Sequence, residues 1–349
     1  MRSITGDGFR ESLKILKEYG FNLDVKRAFS GENVYDWKIP KEWVFRDAWV
    51  KNSKGDKIID VKTSNLHVVN YSSPVHKKLN KKELTEHLHF IQDKPDAIPY
   101  VTSYYKERWG FCLSYNQYKN LSDEEYEVFI DSSFLDGELN YGEVLIPGKS
   151  DKEILISTYL CHPSLANNEL SGPIVANFLF QRIRNWKKRN FSYRFLVVPE
   201  TIGSLTFLRN KSSSQLEKIY SGMVLTCLGG KDYNLSYKKA RKENSPINLF
   251  MDYLRGTDDF SKLEIRKFDP SEGSDERQFC SPGFNLPIGQ ISKMVYGQYD
   301  GYHNSLDTKE KMSIDAVLKS LNDIEKILKL FDLSAPYVRT LPFGEPHLT

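Results

Sequence analysis

No apolar run in the chain approaches the ~18 residues that a membrane-crossing helix requires. The first twenty residues, MRSITGDGFRESLKILKEYG, lack the apolar stretch of a secretory signal. Cysteine is scarce: Cys112, Cys161, Cys227 and Cys280 are scattered, with no C-x-x-C pair. Without an export signal, reduced thiols in a cytoplasmic protein are expected rather than disulfides. An excess of one charge is missing too. The 49 Lys and Arg against 46 Asp and Glu leave a net charge of +3, too little to argue for a nucleic-acid partner. The lysine runs, such as Lys77-Lys78 and Lys187-Lys188, are interrupted by acidic or apolar residues and read as solvated faces. Neither a membrane nor a nucleic acid is therefore expected as partner, which leaves a small molecule or a short peptide.

The 349 residues are 40% hydrophobic and 27% charged, an ordinary globular composition that can bury a large core. Residues 7–19 fit an amphipathic helix with Phe9, Leu13, Leu16 and Tyr19 on one side and Gly20 as C-cap. From about 48 to 146 the texture changes to short alternating segments (KIIDVKT, HVVNYS, WGFCLSY, YEVFIDS) separated by turn signals, with one helix-like piece, NKKELTEHLHFIQ. After Pro147 come continuous apolar runs, EILISTYL, YRFLVVPE, GMVLTCLGG and NLPIGQIS, as strands buried on both faces require. Helical patterns alternate with them: Ile174, Phe178, Leu179, Ile183 and Trp186 share one spacing, and a final helix starts at the N-cap Ser313. The expected fold class is α/β, a mostly parallel mixed sheet flanked by helices. Residues 1–47 and 147–349 form the main domain, and 48–146 an inserted β-rich lid.

Ligands of open α/β sheets bind beyond the carboxyl ends of the strands. Three expected strands end in Cys161-His162-Pro163, Pro199-Glu200-Thr201 and Thr226-Cys227-Leu228-Gly229-Gly230. Two later loops, PSEGSDERQFCSPGFNLPIG and YGQYDGYHNSLDT, are rich in acids, glycine and histidine. His162, Glu200, Asp275 and His303 can therefore converge at one end of one sheet. Cys161 beside His162 raises a thiol nucleophile, but neighbours on a strand point to opposite faces, which argues against it. Each residue alone has a plainer reading: His162 as a loop cap, Glu200 as a surface acid, His303 as a loop histidine bonded to Asp307.

Taken together, His162, the loop NELSG from Asn168 to Gly172, Glu200 in ETIG and YHNSLDT from Tyr302 resemble the M28 type of zinc aminopeptidase. More closely, YLCHPSLANNELSGP, VPETIGS, GSDERQFCSPGFNLPIG and YHNSLDT resemble the bacterial DUF4910 aminopeptidase-like family, with a nested DUF2172 insert at roughly 48–146. That resemblance spans nearly the whole chain. It implies a metal held by histidines after a strand and in the late loop, with the glutamate of the ETIG turn as general base.

The chain departs from the two-zinc pattern at three places: Asn168 stands where a bridging aspartate is usual, Thr201 replaces a second glutamate, and Cys227 replaces an aspartate. Two Zn²⁺ ions about 3.5 Å apart repel by ~19 kcal/mol at an effective dielectric near 20. Without the bridging carboxylate that repulsion is poorly offset, so one ion is expected. His162 and His303 are the ligands the resemblance favours. Asp275 is preferred as third over Glu169, Cys227 or Glu200, because Glu200 aligns with the general base. Arg277, Tyr302 and Asn168 are the expected substrate contacts. The expected function is zinc-dependent cleavage of an amide bond in a small peptide or acylated amine. Two alternatives stand beside it: a catalytically inactive binding module, and a deacylase of an N-acylated sugar or metabolite, with Trp109 and the tyrosines of the insert suited to stacking on a sugar.

Overall fold

The computed structural model describes residues 1–334, except 123, 295 and 296, together with residue 344. Helix α1 (Asp7–Glu18) buries Phe9 and Leu13, and β1 (Asp24–Phe29) follows. Four strands then form a sheet of their own: β2 (Glu42–Lys51), β3 (Lys57–Asp60), β4 (Val75–Asn80) and β5 (Glu125–Leu135), in the order β3-β2-β5-β4. The chain returns through β6 (Glu138–Ile146), β7 (Glu153–Tyr159), α2 (Ser171–Arg184), β8 (Ser192–Val198), α3 (Ile202–Arg209) and β9 (Ile219–Leu225). It ends through β10 (Ser236–Lys238), α4 (Pro246–Arg255), β11 (Glu264–Arg266), the short α5 (Glu276–Phe279), β12 (Ile288–Ser292) and α6 (Ile314–Leu333).

The main sheet has eight strands in the order β1-β6-β8-β7-β9-β12-β10-β11. Its centre, β8-β7-β9-β12, is parallel, and β1, β6 and β10 pair antiparallel with neighbours. All seven residues of β7 and all five of β12 are buried, which is why these segments read as predominantly apolar runs without polar alternation. The mixed α/β class and the four expected core strands are as the sequence indicates.

Several expectations change. Strand β6 falls inside the expected insert, yet it pairs with β1 and β8 in the main sheet; the separate sheet begins at Glu42 and ends at Leu135. A β-rich texture cannot say which of two sheets a strand joins, because that depends on its partners. HVVNYS forms no strand: Asn65–His67 is a 3-10 turn capped by Ser64. Phe178 on α2 is exposed, and Tyr19 lies outside α1 and is exposed as well; the buried face of α2 is Val175, Ala176, Leu179, Phe180 and Ile183. Gly172 lets α2 approach the sheet, since a Cβ there would meet Thr158 Oγ1 and the Leu225 carbonyl. At the far end of α6, Asp332 accepts the N–H groups of Asn190 and Phe191 and the Tyr193 hydroxyl, which fixes the start of β8. No helix among the described residues is long and apolar enough to cross a membrane.

The single charged side chain within β8, Arg194, is neutralised across the sheet. It donates to Glu153 of β7 at 2.6 and 2.8 Å and lies 3.4 Å from Glu143 of β6, which also takes Lys211 at 2.9 Å. All four side chains are largely buried. Arg194→Met is expected to destabilise the protein by about 3–5 kcal/mol, because Glu153 is left as a buried carboxylate without a cation. Urea denaturation of the variant measures this; a loss below 1 kcal/mol would show that the network contributes little.

Candidate active site

The loop after β7 is built around Glu169. Its Oε2 accepts the N–H groups of Cys161 (2.6 Å) and His162 (2.9 Å), and its Oε1 is ion-paired with His162 Nδ1. The Glu169 side chain is fully buried. This holds the imidazole in one orientation, in the way a carboxylate orients a metal-ligating histidine, and leaves Nε2 directed toward Glu200 Oε2 at 3.6 Å. Arg2 closes the loop from outside through two donations to the His162 carbonyl, at 3.2 and 2.9 Å.

Glu200 leaves the end of β8 at a strained turn. Thr201 sits at φ +66°, costly for a β-branched residue. Asp275 stabilises that turn, its Oδ1 accepting Thr201 N–H at 2.7 Å and the Ser204 hydroxyl at 2.9 Å. The adjacent Ser274 hydroxyl donates to Glu200 Oε1 at 2.6 Å. Cys227 (φ +51°), Ser164 (φ +55°) and His303 (φ +53°) are also left-handed, so four of the seven such non-glycine residues among those described belong to these loops. Strain gathers where several strand ends turn toward one point.

His303 completes the group. Its ring is 5.0 Å from that of His162, lies face to face with Tyr302 (4.0 Å, 13°) and meets the edge of Tyr100 (5.5 Å). Tyr100 comes from the chain between β4 and β5 and also contacts His162 at 4.6 Å; its N–H donates to the His303 carbonyl at 2.8 Å. Asp307 does not hold His303. Its two oxygens accept the N–H groups of Asn167 and Asn168, each at 2.9 Å. Asn168 donates its side-chain amide to the Tyr159 hydroxyl at 3.0 Å, and its Oδ1 is buried without a partner.

The electrostatics divide the two histidines. Burial opposes a charge on His162, but Glu169 and Cys161 outweigh it and hold the ring well above the usual histidine range. His303 is pushed down to about 3 by burial and by His162, so it is a neutral imidazole with a lone pair to offer. Burial raises Glu200 above the usual carboxylate range, against the pull of His162 and Ser274. Asp275 is raised to about 8 by burial and by the charge of Glu200.

Cys161 Sγ lies 3.4 Å from His162 Nδ1, contrary to the expectation that they face apart. Strand alternation stops at Tyr159, and the loop turns both side chains inward. The thiol is nonetheless raised to about 11, chiefly by burial, which leaves it protonated and a poor nucleophile at neutral pH. All four cysteines are buried and free.

Among the described residues, the three metal-type side chains whose donor atoms lie within 4.8 Å of one another are Cys161, His162 and Glu169; His162, Asp275 and His303 do not meet that spacing. The geometry gives Asp275 a role in positioning the Glu200 turn, although its Oδ2 is buried and unpartnered. The donor chemistry still suits one metal ion: an oriented histidine, a neutral histidine beside it, and two unsatisfied buried oxygens, Asn168 Oδ1 and Asp275 Oδ2.

Two cavities open on this group. One of about 210 Å³ has His162 and Glu200 in its wall and an aromatic rim of Trp37, Tyr104 and Tyr105. The other, about 1030 Å³, is lined by Cys227, Ser274, Arg277, Tyr302 and His303 among others, so the expected substrate contacts Arg277 and Tyr302 face the same space. Asn168, the third, lies beneath the floor. Trp109 is elsewhere, stacked on His87 at 3.6 Å, and takes no part. The contributions of Glu169, Tyr100 and Trp37 were not separable in the sequence. Glu169 was only one of several possible ligands there, and the two aromatics carry no motif.

A protein of Clostridium acetobutylicum, provisionally named as a polysaccharide biosynthesis protein with an aminopeptidase-like domain, is 42% identical over 347 residues, 99% of this chain and 78% of its own. A crystal structure of a provisionally named peptidase from the same organism superposes with a TM-score of 0.89 at 42% identity, over 99% of this chain and 81% of that one. BSAP, a zinc aminopeptidase from Bacillus subtilis, superposes with a TM-score of 0.69 at 12% identity over 94% of this chain and 90% of its own, which is a likeness of fold. The strand-end residues that build the site lie within residues 1–334, the span that matches the family described as a domain of unknown function, DUF4910, and to that family the chain belongs.

Proposed function

We propose that this protein is a zinc-dependent hydrolase that cleaves an amide bond in a small peptide or an acylated amine. The observation that carries the reading is Glu200. Its side chain is 24% exposed to a cavity, 3.6 Å from an oriented histidine and next to a second, neutral one. The aminopeptidase-like name of the 42%-identical relative supports it. His162 and His303 would hold the ion through ring nitrogens, with the third donor from Asn168 Oδ1 or Asp275 Oδ2. When bound, zinc supplies Lewis-acid polarisation of the carbonyl and activation of water. Glu200 then takes the proton from the attacking water at Oε2 and passes it to the leaving amine, while Ser274 holds Oε1. Burial raises its pKa above the usual carboxylate range, the direction that strengthens it as a base. Tyr302, stacked on His303, would position the substrate. The sheet of residues 42–135 acts as an inserted unit corresponding to the expected DUF2172 segment, and Tyr100 is its contribution to the site.

A second reading, a deacylase of an N-acylated sugar, is favoured by the aromatic rim of Trp37, Tyr104 and Tyr105 beside Glu200 and by the polysaccharide-biosynthesis name of the relative.

Elemental analysis of protein loaded with zinc and dialysed is expected to give close to one ion per chain. Two tightly held ions would overturn the ligand count. The loaded protein should then hydrolyse members of a set of dipeptides, aminoacyl amides and N-acetylated amino sugars. Zinc binding with no hydrolysis across that set would favour a binding module.

A further inference from the structure

The larger cavity carries positive charge that, among the described residues, is only partly paired with carboxylates. Four cationic side chains line it, Lys238, Arg266, Lys267 and Arg277, against two acids, Asp269 and Glu272. They are not equivalent. Lys238 is satisfied: it donates to Glu276 Oε1 at 3.0 Å and to the carbonyls of Asp269 and Glu272. Lys267 is exposed, and solvent screens it. Asp269 takes the Ser271 N–H and hydroxyl, and Glu272 is exposed.

Arg266 is different. It is half-buried at the end of β11, and its fork is held by neutral oxygens only: Nε donates to Ser236 Oγ at 2.7 Å, and Nη2 to Gln290 Oε1 at 3.1 Å and Ser292 Oγ at 3.3 Å. Among the described residues no carboxylate lies within 4 Å of it, and its Nη1 makes no hydrogen bond. The guanidinium is thus oriented without a carboxylate in contact; burial disfavours its charge, and Glu276, Glu264 and Glu272, acting at longer range, offset this only in part. Arg277 likewise touches only neutral oxygens. Its contacts are the carbonyls of Ser274 and Ser271, both at 3.4 Å, and it follows Ser274, the donor to Glu200, by three positions. A purely structural donor at either place has no need to be charged.

We propose that Arg266 and Arg277 form an oxyanion subsite in the larger cavity, which selects a substrate bearing a carboxylate, phosphate or sulfate group and presents its amide to Glu200. The subsite supplies the charge-assisted forks that arginine offers such groups. The orientation of the substrate rests on the hydrolase reading above; the binding of the anion does not.

The test is a thermal-shift titration of the full chain with inorganic phosphate, sulfate and succinate at constant ionic strength. A saturable stabilisation is expected in the wild type. Its apparent Kd should weaken by about tenfold or more in Arg266→Gln and in Arg277→Gln, the size expected for losing a charge-assisted hydrogen bond. Arg266→Lys keeps the charge and should fall between. If Arg266→Gln does not fold, Arg277→Gln, at a partly exposed position, decides alone. Phosphate or sulfate binding more tightly than succinate indicates a phosphorylated or sulfated substrate, and the reverse order a carboxylate; either ranking supports the subsite. Equal affinity in wild type and both variants, or no saturation, overturns it. Glu200→Gln should bind the same anions as the wild type. Intact anion binding in a protein that hydrolyses nothing would therefore discard the hydrolase and keep the subsite.

Discussion

Glu200→Gln is expected to lower turnover by about 10²–10⁴-fold, the usual contribution of a positioned general base, while leaving zinc content unchanged. The substitution preserves volume, and the Gln carbonyl still accepts the Ser274 hydroxyl that now reaches Oε1 at 2.6 Å. The backbone N–H of residue 200, directed at Cys161 Sγ, is untouched. The change therefore removes the proton-accepting oxygen facing His162 and little else. The measurement pairs a turnover assay on the best amide substrate with metal analysis of the same preparation. Zinc lost together with turnover would make Glu200 a ligand. If neither quantity moves, Glu200 is a loop acid and the proposed chemistry fails.

His303→Ala and His162→Ala should each weaken zinc binding by more than the 10–100-fold typical of a supporting residue, but they should differ in their effect on the fold. His303 is neutral and contacts its neighbours through its ring faces and backbone, so its loss removes a donor without stranding a charge. His162 is ion-paired with Glu169, whose side chain is fully buried. Removing the imidazole leaves a carboxylate in the interior with only two N–H groups for company. A stability loss of about 3–5 kcal/mol is expected on top of the metal defect. Zinc titration against a chelator, run beside urea denaturation of the metal-free proteins, separates the two effects. Full metal affinity in both variants would refute the ligand assignment. Equal stability in both would show that the His162–Glu169 pair does not hold the loop.

Much of the frame was legible before any coordinates. The runs EILISTYL and YRFLVV are mostly apolar, without polar alternation, because both faces of those strands are covered. The final helix announced itself through Ser313, whose hydroxyl accepts the Ala316 N–H as a cap should. His162 and Glu200 stood out because polar residues at the tips of buried strands are exposed to a common space in an open α/β sheet, and His303 as the histidine of a late polar loop. Other features were not readable. The exposure of Phe178 depends on which neighbours α2 packs against, and helical spacing alone does not choose between adjacent faces. The place of β6 in the main sheet depends on its pairing with β1 and β8, contacts remote in sequence.

From the sequence alone came the α/β class, the four core strands and the strand-end residues of the site, because each rests on local pattern and on the direction in which a chain leaves a sheet. Tertiary structure decided which of those residues act together. It gave Asp275 to the Glu200 turn through Thr201 and Ser204, gave Glu169 to His162, and brought Tyr100 from the chain between β4 and β5 against both histidines. It also left Arg266, on the wall of the cavity, with no carboxylate within 4 Å among the described residues. The physical reason is common to all of these. Hydrogen bonds, ion pairs and burial depend on distances between side chains far apart in the chain, and those distances exist only once the sheet has brought the loops to one end.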